Sequence, residues 1–196
     1  RAGTVSAMRS PPLLPSLLLA PAALPAFAAD DLSACLDRLQ PKARAAGIGD
    51  ALFREHTDGL VSDPSVLEAL DYQPEFRTPL WDYLAGLVDE QRVDDGRALL
   101  DEHAELLARI ETDYGIDPAT VVAVWGVESN FGQSFGSYPL TQALGTLSCF
   151  GRRQAYFRGE FYATLRILQA GDIAPERLVG SWAGAFGHTQ FMPSTF

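Results

Sequence analysis

The chain has 196 residues, enough for one domain with a sizeable core and room for a second small lobe. Hydrophobic residues make up 47% and charged residues 20%, ordinary globular usage that argues against disorder outside the N-terminus. A formal charge of −10, with Lys42 the only lysine, leaves little from which to build a phosphate-tracking surface, so nucleic acid is excluded as an expected partner.

Residues 1–28 stand apart from the rest. Met8 and Arg9 are followed by a leucine-rich run, and no acidic residue occurs before Asp30. Ala26-Phe27-Ala28 has the small-x-small pattern of a signal-peptidase site, so 1–28 reads as a secretory signal cleaved after Ala28, the rival being a loose tail. Pro11, Pro12, Pro15, Pro21 and Pro25 interrupt an apolar run too short for a span of about 20 residues, and no transmembrane anchor is expected. Residues 29–196 are then the folded domain.

Export bears on the two cysteines. In an oxidising compartment Cys35 and Cys149 are expected to pair, tying the first helix to the later part of the chain. Leu32-Ser33-Ala34-Cys35 also looks like a lipoprotein processing box. Asp30 and Asp31 would interrupt the apolar segment such processing needs, so lipidation at Cys35 is the less favoured reading, with two reduced buried thiols as a third.

Leu32, Cys35, Leu36 and Leu39 have the spacing of one helical face, so a helix is expected to begin near Asp30 or Asp31. Gly47 and Gly49 end it, and Asp50 opens a short helix to Leu60. Asp63-Pro64 pairs a capping residue with a first-turn proline before a third helix over 64–71. Gln73-Pro74 and Thr78-Pro79 mark turns, after which Leu80, Tyr83, Leu84, Leu87 and Val88 return to helical spacing. The stretch Gly96 to Tyr114 reads as one amphipathic helix, with His103 a packed histidine at the edge of the core. Asp117-Pro118 repeats the cap. The following run, Val121 to Val127, has too little polarity for a surface helix and is expected to be the central buried one. A last helix runs from about Arg152 to Gln169, and 171–180 reads as a connecting loop. The fold class is therefore all-α.

Glu128 follows Trp125 by three residues and Val121 by seven, which predicts that it points inward with its apolar neighbours. A desolvated carboxylate retains its proton more readily, the state a general acid needs. Asn130 and Gly132 suit a helix end, so the carboxylate is expected to emerge beside a cleft. On this pattern alone a surface or salt-bridged Glu128 is an equal alternative.

The string Val124-Trp125-Gly126-Val127-Glu128-Ser129-Asn130-Phe131-Gly132 resembles the catalytic segment of lytic murein transglycosylases of the B family. Thr146-Leu147-Ser148, Arg152-Arg153, Tyr156-Phe157, Gly159-Glu160 and the run Gly180 to Ser194 follow that family's pattern in order. Upstream, Gln73-Pro74-Glu75-Phe76 and Trp81-Asp82-Tyr83 extend the match. The resemblance implies a lysozyme-like transglycosylase core with an N-terminal helical part, continuing beyond Phe196.

It implies further that Glu128 is the single acid and base cleaving the bond between N-acetylmuramic acid and N-acetylglucosamine. The muramyl C6 hydroxyl is then the nucleophile and a 1,6-anhydro end the product. Peptidoglycan strands are the implied partner, and no cofactor or metal is called for. By position Arg152 and Arg153 would bind muropeptide carboxylate or sugar groups, Tyr156 would line the cleft, and Ser181 and Gln190 would reach the acetamido group and the surroundings of Glu128. Phe191 and Met192 are expected in the core, and Gly184 and Gly187 to serve the backbone. A muramidase using water, and a non-catalytic peptidoglycan-binding module, are the competing readings. Nucleotide and zinc motifs do not occur.

Overall fold

The computed structural model describes residues 29–72 and 77–196; the leader read over 1–28 and the Gln73 to Phe76 motif lie outside the described residues. Among the described residues the helices run α1 Ala29–Ala45, α2 Asp50–Thr57, α3 Pro64–Asp71, α4 Leu80–Leu87, α5 Glu90–Glu102, α6 Ala104–Tyr114, α7 Pro118–Ser129, α8 Leu140–Phe150 and α9 Gln154–Ala170. The only β-structure of named length there is a two-residue antiparallel pair, β1 Tyr138–Pro139 with β2 Val179–Gly180. The all-α reading stands, and no helix among the described residues is long and apolar enough to cross a membrane.

Local chemistry accounts for most boundaries. Asp63 and Asp117 cap α3 and α7 through side-chain bonds from the Ser65 and Thr120 N–H groups, each followed by a first-turn proline as expected. Asp89 caps α5 in the same way, from Arg92 N–H. The stretch read as one helix from Gly96 to Tyr114 is two, α5 and α6, broken at His103 with φ −105° and ψ 17°. Neither half buries a full apolar face, so nothing holds the break in line: α5 has no buried residue and α6 buries only Leu107.

The core is centred on α8, whose residues Ala143 to Ser148 are all buried. Phe157, Phe161, Leu165 and Leu168 of α9 cover it from one side, and Leu32, Cys35, Leu36 and Leu39 of α1 from another. Phe53 of α2 meets Phe161 edge to face at 6.3 Å between ring centres. The Thr146 hydroxyl accepts from Asp63 N–H at 3.1 Å, fixing the start of α3 to α8. The central role expected for α7 therefore belongs to α8. In α7, Val124 and Val127 are more than two-fifths exposed and only Val122, Gly126 and Ser129 are buried, with α5 and α6 packed beside it.

The bond expected between Cys35 and Cys149 is present, joining α1 to the end of α8 across a sequence separation of 114 residues, with Cα atoms 6.0 Å apart. It occupies the sulfur that lipid attachment at Cys35 would require. On the outer side of α1, the Arg44 guanidinium holds the Asp50 carboxyl below its usual range through a direct hydrogen bond.

Candidate active site

α7 ends in a sharp reversal. Asn130, Phe131 and Gly132 all adopt left-handed backbone conformations, with φ of 48°, 56° and 82°. For a phenylalanine that conformation costs roughly 1–3 kcal/mol and has to be held from outside. The Phe131 ring folds back against Gly126 and Gly96 and meets Trp125 edge to face at 5.8 Å, which holds it. Ser129 is buried, and its hydroxyl accepts from Gly132 N–H at 2.9 Å and donates to the His188 carbonyl at 2.7 Å. Glu128, immediately before Ser129, is thereby presented on the last turn of a well-anchored helix.

Its side chain is exposed, not inward as the sequence spacing suggested. The inner face of α7 runs through Val122, Gly126 and Ser129, one residue along from the Val121, Trp125 and Glu128 stripe that apolarity picked out. Small residues form that face because Phe131 needs the space over Gly126, and a pattern weighted by hydrophobic size reads it one position out of register.

The segment from Gly180 to Gln190 lies against this reversal. Gly136 has φ 85°, and a Cβ there would stand 2.2 Å from the Gly180 carbonyl oxygen, so the two backbones touch in a way only glycine allows. The adjacent β1–β2 pairing extends the same contact. Ser181 closes a turn: its N–H donates to Ala185 O at 2.8 Å and its hydroxyl accepts from Ala185 N–H at 3.0 Å. The Gln190 amide donates to Gly187 O at 2.9 Å and Phe135 O at 3.3 Å. His188 accepts from the Trp125 indole N–H at 2.8 Å. The chain at Ser181 thus lies against Gly136, and Gln190 is bonded to Phe135, both in the segment that follows α7.

The arginine pair is anchored elsewhere. Arg152 donates to Leu70 O at 2.9 Å and pairs with Asp71 at 3.0 Å, both at the end of α3, while Arg153 lies over the Tyr156 ring at 4.5 Å. Phe191, expected in the core, is half exposed, because Phe186 takes the inward position across their backbone bridge. His103 is half-buried, its ring tilted at 44° to that of Trp125 with the centres 5.9 Å apart, in line with the packing role expected of it.

Glu160, part of the Gly159-Glu160 motif, has a structural part that the motif does not convey. Glu160 on α9 is buried, and its two oxygens accept from Ser194 N–H at 2.9 Å and the Ser194 hydroxyl at 2.8 Å, tethering the segment after Gln190 to the core. Its spacing from Phe157 and Thr164 places it on the inner face of α9, a signal that the local reading of Gly159-Glu160 passed over. Glu160→Ala removes both hydrogen bonds to this charged group, while exposed Ser194 can turn to water, and is expected to destabilise the protein by roughly 1–3 kcal/mol, as a lower urea midpoint at unchanged m-value.

With this geometry in hand, relatives can be compared. The sequence profile described as "Transglycosylase SLT domain" matches residues 31–196. The chain belongs to that family. The transglycosylase domain is 34% identical over 128 residues to membrane-bound lytic murein transglycosylase B of Escherichia coli strain K12, an alignment covering 65% of this chain and 32% of that protein. Its fold superposes on SltB3 from Pseudomonas aeruginosa, crystallised with NAG-NAM-pentapeptide, with a TM-score of 0.79 and 41% identity over 84% of this chain and 44% of SltB3. Escherichia coli Slt35 bound to bulgecin A matches with a TM-score of 0.70 and 29% identity, over 84% of this chain and 52% of Slt35. The chain thus spans about a third of the length of the curated relative and about half that of the solved ones. The lysozyme-like helical fold implied by the motifs is the fold of these transglycosylases.

Proposed function

We propose that the chain is part of a peptidoglycan lytic transglycosylase that cleaves the MurNAc–GlcNAc β-1,4 bond and leaves 1,6-anhydro-MurNAc ends. The observation that carries the reading is Glu128, exposed on the last turn of α7 and followed directly by Ser129, which is bonded to the segment between Ser181 and Gln190, in a domain of the transglycosylase family. SltB3, the Pseudomonas relative, has also been crystallised with NAG-anhNAM-pentapeptide, the kind of end this reaction forms.

Glu128 donates its proton to the glycosidic oxygen as the bond from the muramyl anomeric carbon breaks. The resulting carboxylate accepts the proton of the muramyl C6 hydroxyl as that oxygen attacks the same carbon. No water enters, and one carboxylate serves because the nucleophile belongs to the substrate, whereas glycosidases that use water or an enzyme nucleophile ordinarily employ two. Since Glu128 is open to solvent in the free domain, the glycan itself supplies the dry surroundings an acid needs when it settles over the helix end.

Ser181 and Gln190 line the sugar next to Glu128. Arg153, backed by Tyr156, takes carboxylate or sugar groups of the muropeptide, and Arg152 contributes guanidinium N–H groups beyond those it gives to Leu70 and Asp71. Residues 1–28 act as a signal peptide and the protein works in the periplasm, where the Cys35–Cys149 bond is stable. The chemistry of the strand ends released by the full-length protein tests the reading: anhydro ends support it and reducing muramic ends contradict it.

A further inference from the structure

We propose that His188 is a positioning residue of the reaction, one that clasps the last turn of α7 and so aims Glu128. The inference rests on the reading given under Proposed function. Two hydrogen bonds make the clasp. The Trp125 Nε1–H donates to His188 Nδ1 at 2.8 Å, and the Ser129 hydroxyl donates to the His188 carbonyl at 2.7 Å. Trp125 precedes Glu128 by three residues and Ser129 follows it directly, so the two bonds grip the helix on either side of the carboxylate in sequence. Gln190, two residues beyond His188, is carried on the same stretch of chain, and its amide is tied to Phe135 O and Gly187 O.

The imidazole has a built seat. Its ring centre lies 5.6 Å from Trp125 and 5.1 Å from Phe135. At Gly132 a Cβ would stand 2.3 Å from the imidazole Cε1, so a glycine is needed for the ring to lie against the backbone there. Trp125 is braced in turn by His103 at 5.9 Å and Phe131 at 5.8 Å. Such a stack resists small rotations of the helix end, and displacements of about 1 Å can change rates by about 10²-fold.

The clasp also has a proton dependence. An indole N–H can only donate, so Nδ1 must be the bare nitrogen and Nε2 the protonated one in the neutral ring. A second proton fills Nδ1 and removes the acceptor. The titratable groups around the ring are His103 beyond Trp125 on α6, Glu128 on α7, and Asp172 and Arg177, which line a shared cavity with His188. The acceptor facing the indole is Nδ1.

The test uses the full-length protein on purified peptidoglycan, with kcat and KM followed against pH. His188→Ala and Trp125→Phe are each expected to lower kcat roughly 10- to 100-fold with KM little changed. His188→Asn, whose amide oxygen can stand near the Nδ1 position without titrating, is expected to recover most of the rate and to lack the acid-side decline expected of the wild type. Wild-type kcat in His188→Ala overturns the proposal, as does His188→Asn no better than alanine. If the wild type cleaves no glycan, the functional reading fails and the clasp is judged by NMR instead. The Trp125 indole N–H resonance, assigned by its loss in Trp125→Phe, is expected to move on acidification in the wild type and stay fixed in His188→Asn; a resonance indifferent to acid in the wild type overturns the clasp on its own.

Discussion

Glu128→Gln is expected to reduce strand cleavage by the full-length protein about 10²- to 10⁴-fold while leaving its melting temperature unchanged. The two halves of that expectation come from different facts. Glutamine keeps the shape of the side chain and removes its transferable proton, so both the protonation of the leaving oxygen and the later acceptance of the C6 hydroxyl proton are lost. Because Glu128 is exposed and packs against no core residue, exchanging it touches none of the interactions that hold α7, and exposed substitutions of this kind stay within about 0.5 kcal/mol. A turbidity assay on peptidoglycan together with a thermal melt reads both. A variant with near wild-type turnover removes Glu128 from the mechanism.

The disulfide is expected to dominate stability. Closing a loop of more than 100 residues removes enough freedom from the unfolded chain to be worth about 4–5 kcal/mol in the chain-entropy account. For a chain of this size, Cys35→Ser should then lower the melting temperature by roughly 10–20 °C. Cys35 is buried on the α1 face that covers α8, which adds to the penalty of placing a hydroxyl there. Dithiothreitol should lower the wild type to a similar degree and leave Cys35→Ser where it is. A wild type whose melt ignores the reductant would show that the bond contributes little.

How far the fold was legible depended on the kind of signal each helix carries. The period of the apolar residues in α1 and α9 located both helices and most of the residues that point inward, though Tyr156, on that period in α9, is exposed and Glu160 is buried. α3 and α7 begin with Asp-Pro, and the cap found their starts to the residue. α8 is the opposite case. It is buried nearly all round, and its Gly145, Thr146 and Ser148 dilute the apolar content, so the middle of the core was read only as a motif. α7 then took the central place in the reading because its valines make it look the most apolar.

The site divided in the same way. Glu128, Ser181 and Gln190 were singled out by their motifs; the structure joins the end of α7 to the chain after β2 through Ser129 and His188, and Gln190 to Phe135. The direction of Glu128 was not recognisable, since the inner face of α7 is set by the room Phe131 needs over Gly126, a tertiary requirement with no period of its own. His188 escaped for a related reason. Its part depends on Trp125, 63 positions away in sequence, and on the gap left by Gly132.

The central claim is that the nucleophile is the substrate's own C6 hydroxyl, and mass spectrometry of the muropeptides released by the full-length protein tests it most directly. An internal attack leaves a muramic end one water lighter than hydrolysis does and inert to borohydride reduction, because the anomeric carbon is tied up in the 1,6-anhydro ring. The account predicts anhydro ends as the main product, formed by the wild type and absent with Glu128→Gln. Muramic ends that carry the extra water and are reduced by borohydride would contradict it, and would make the protein a hydrolase that directs water to the same bond.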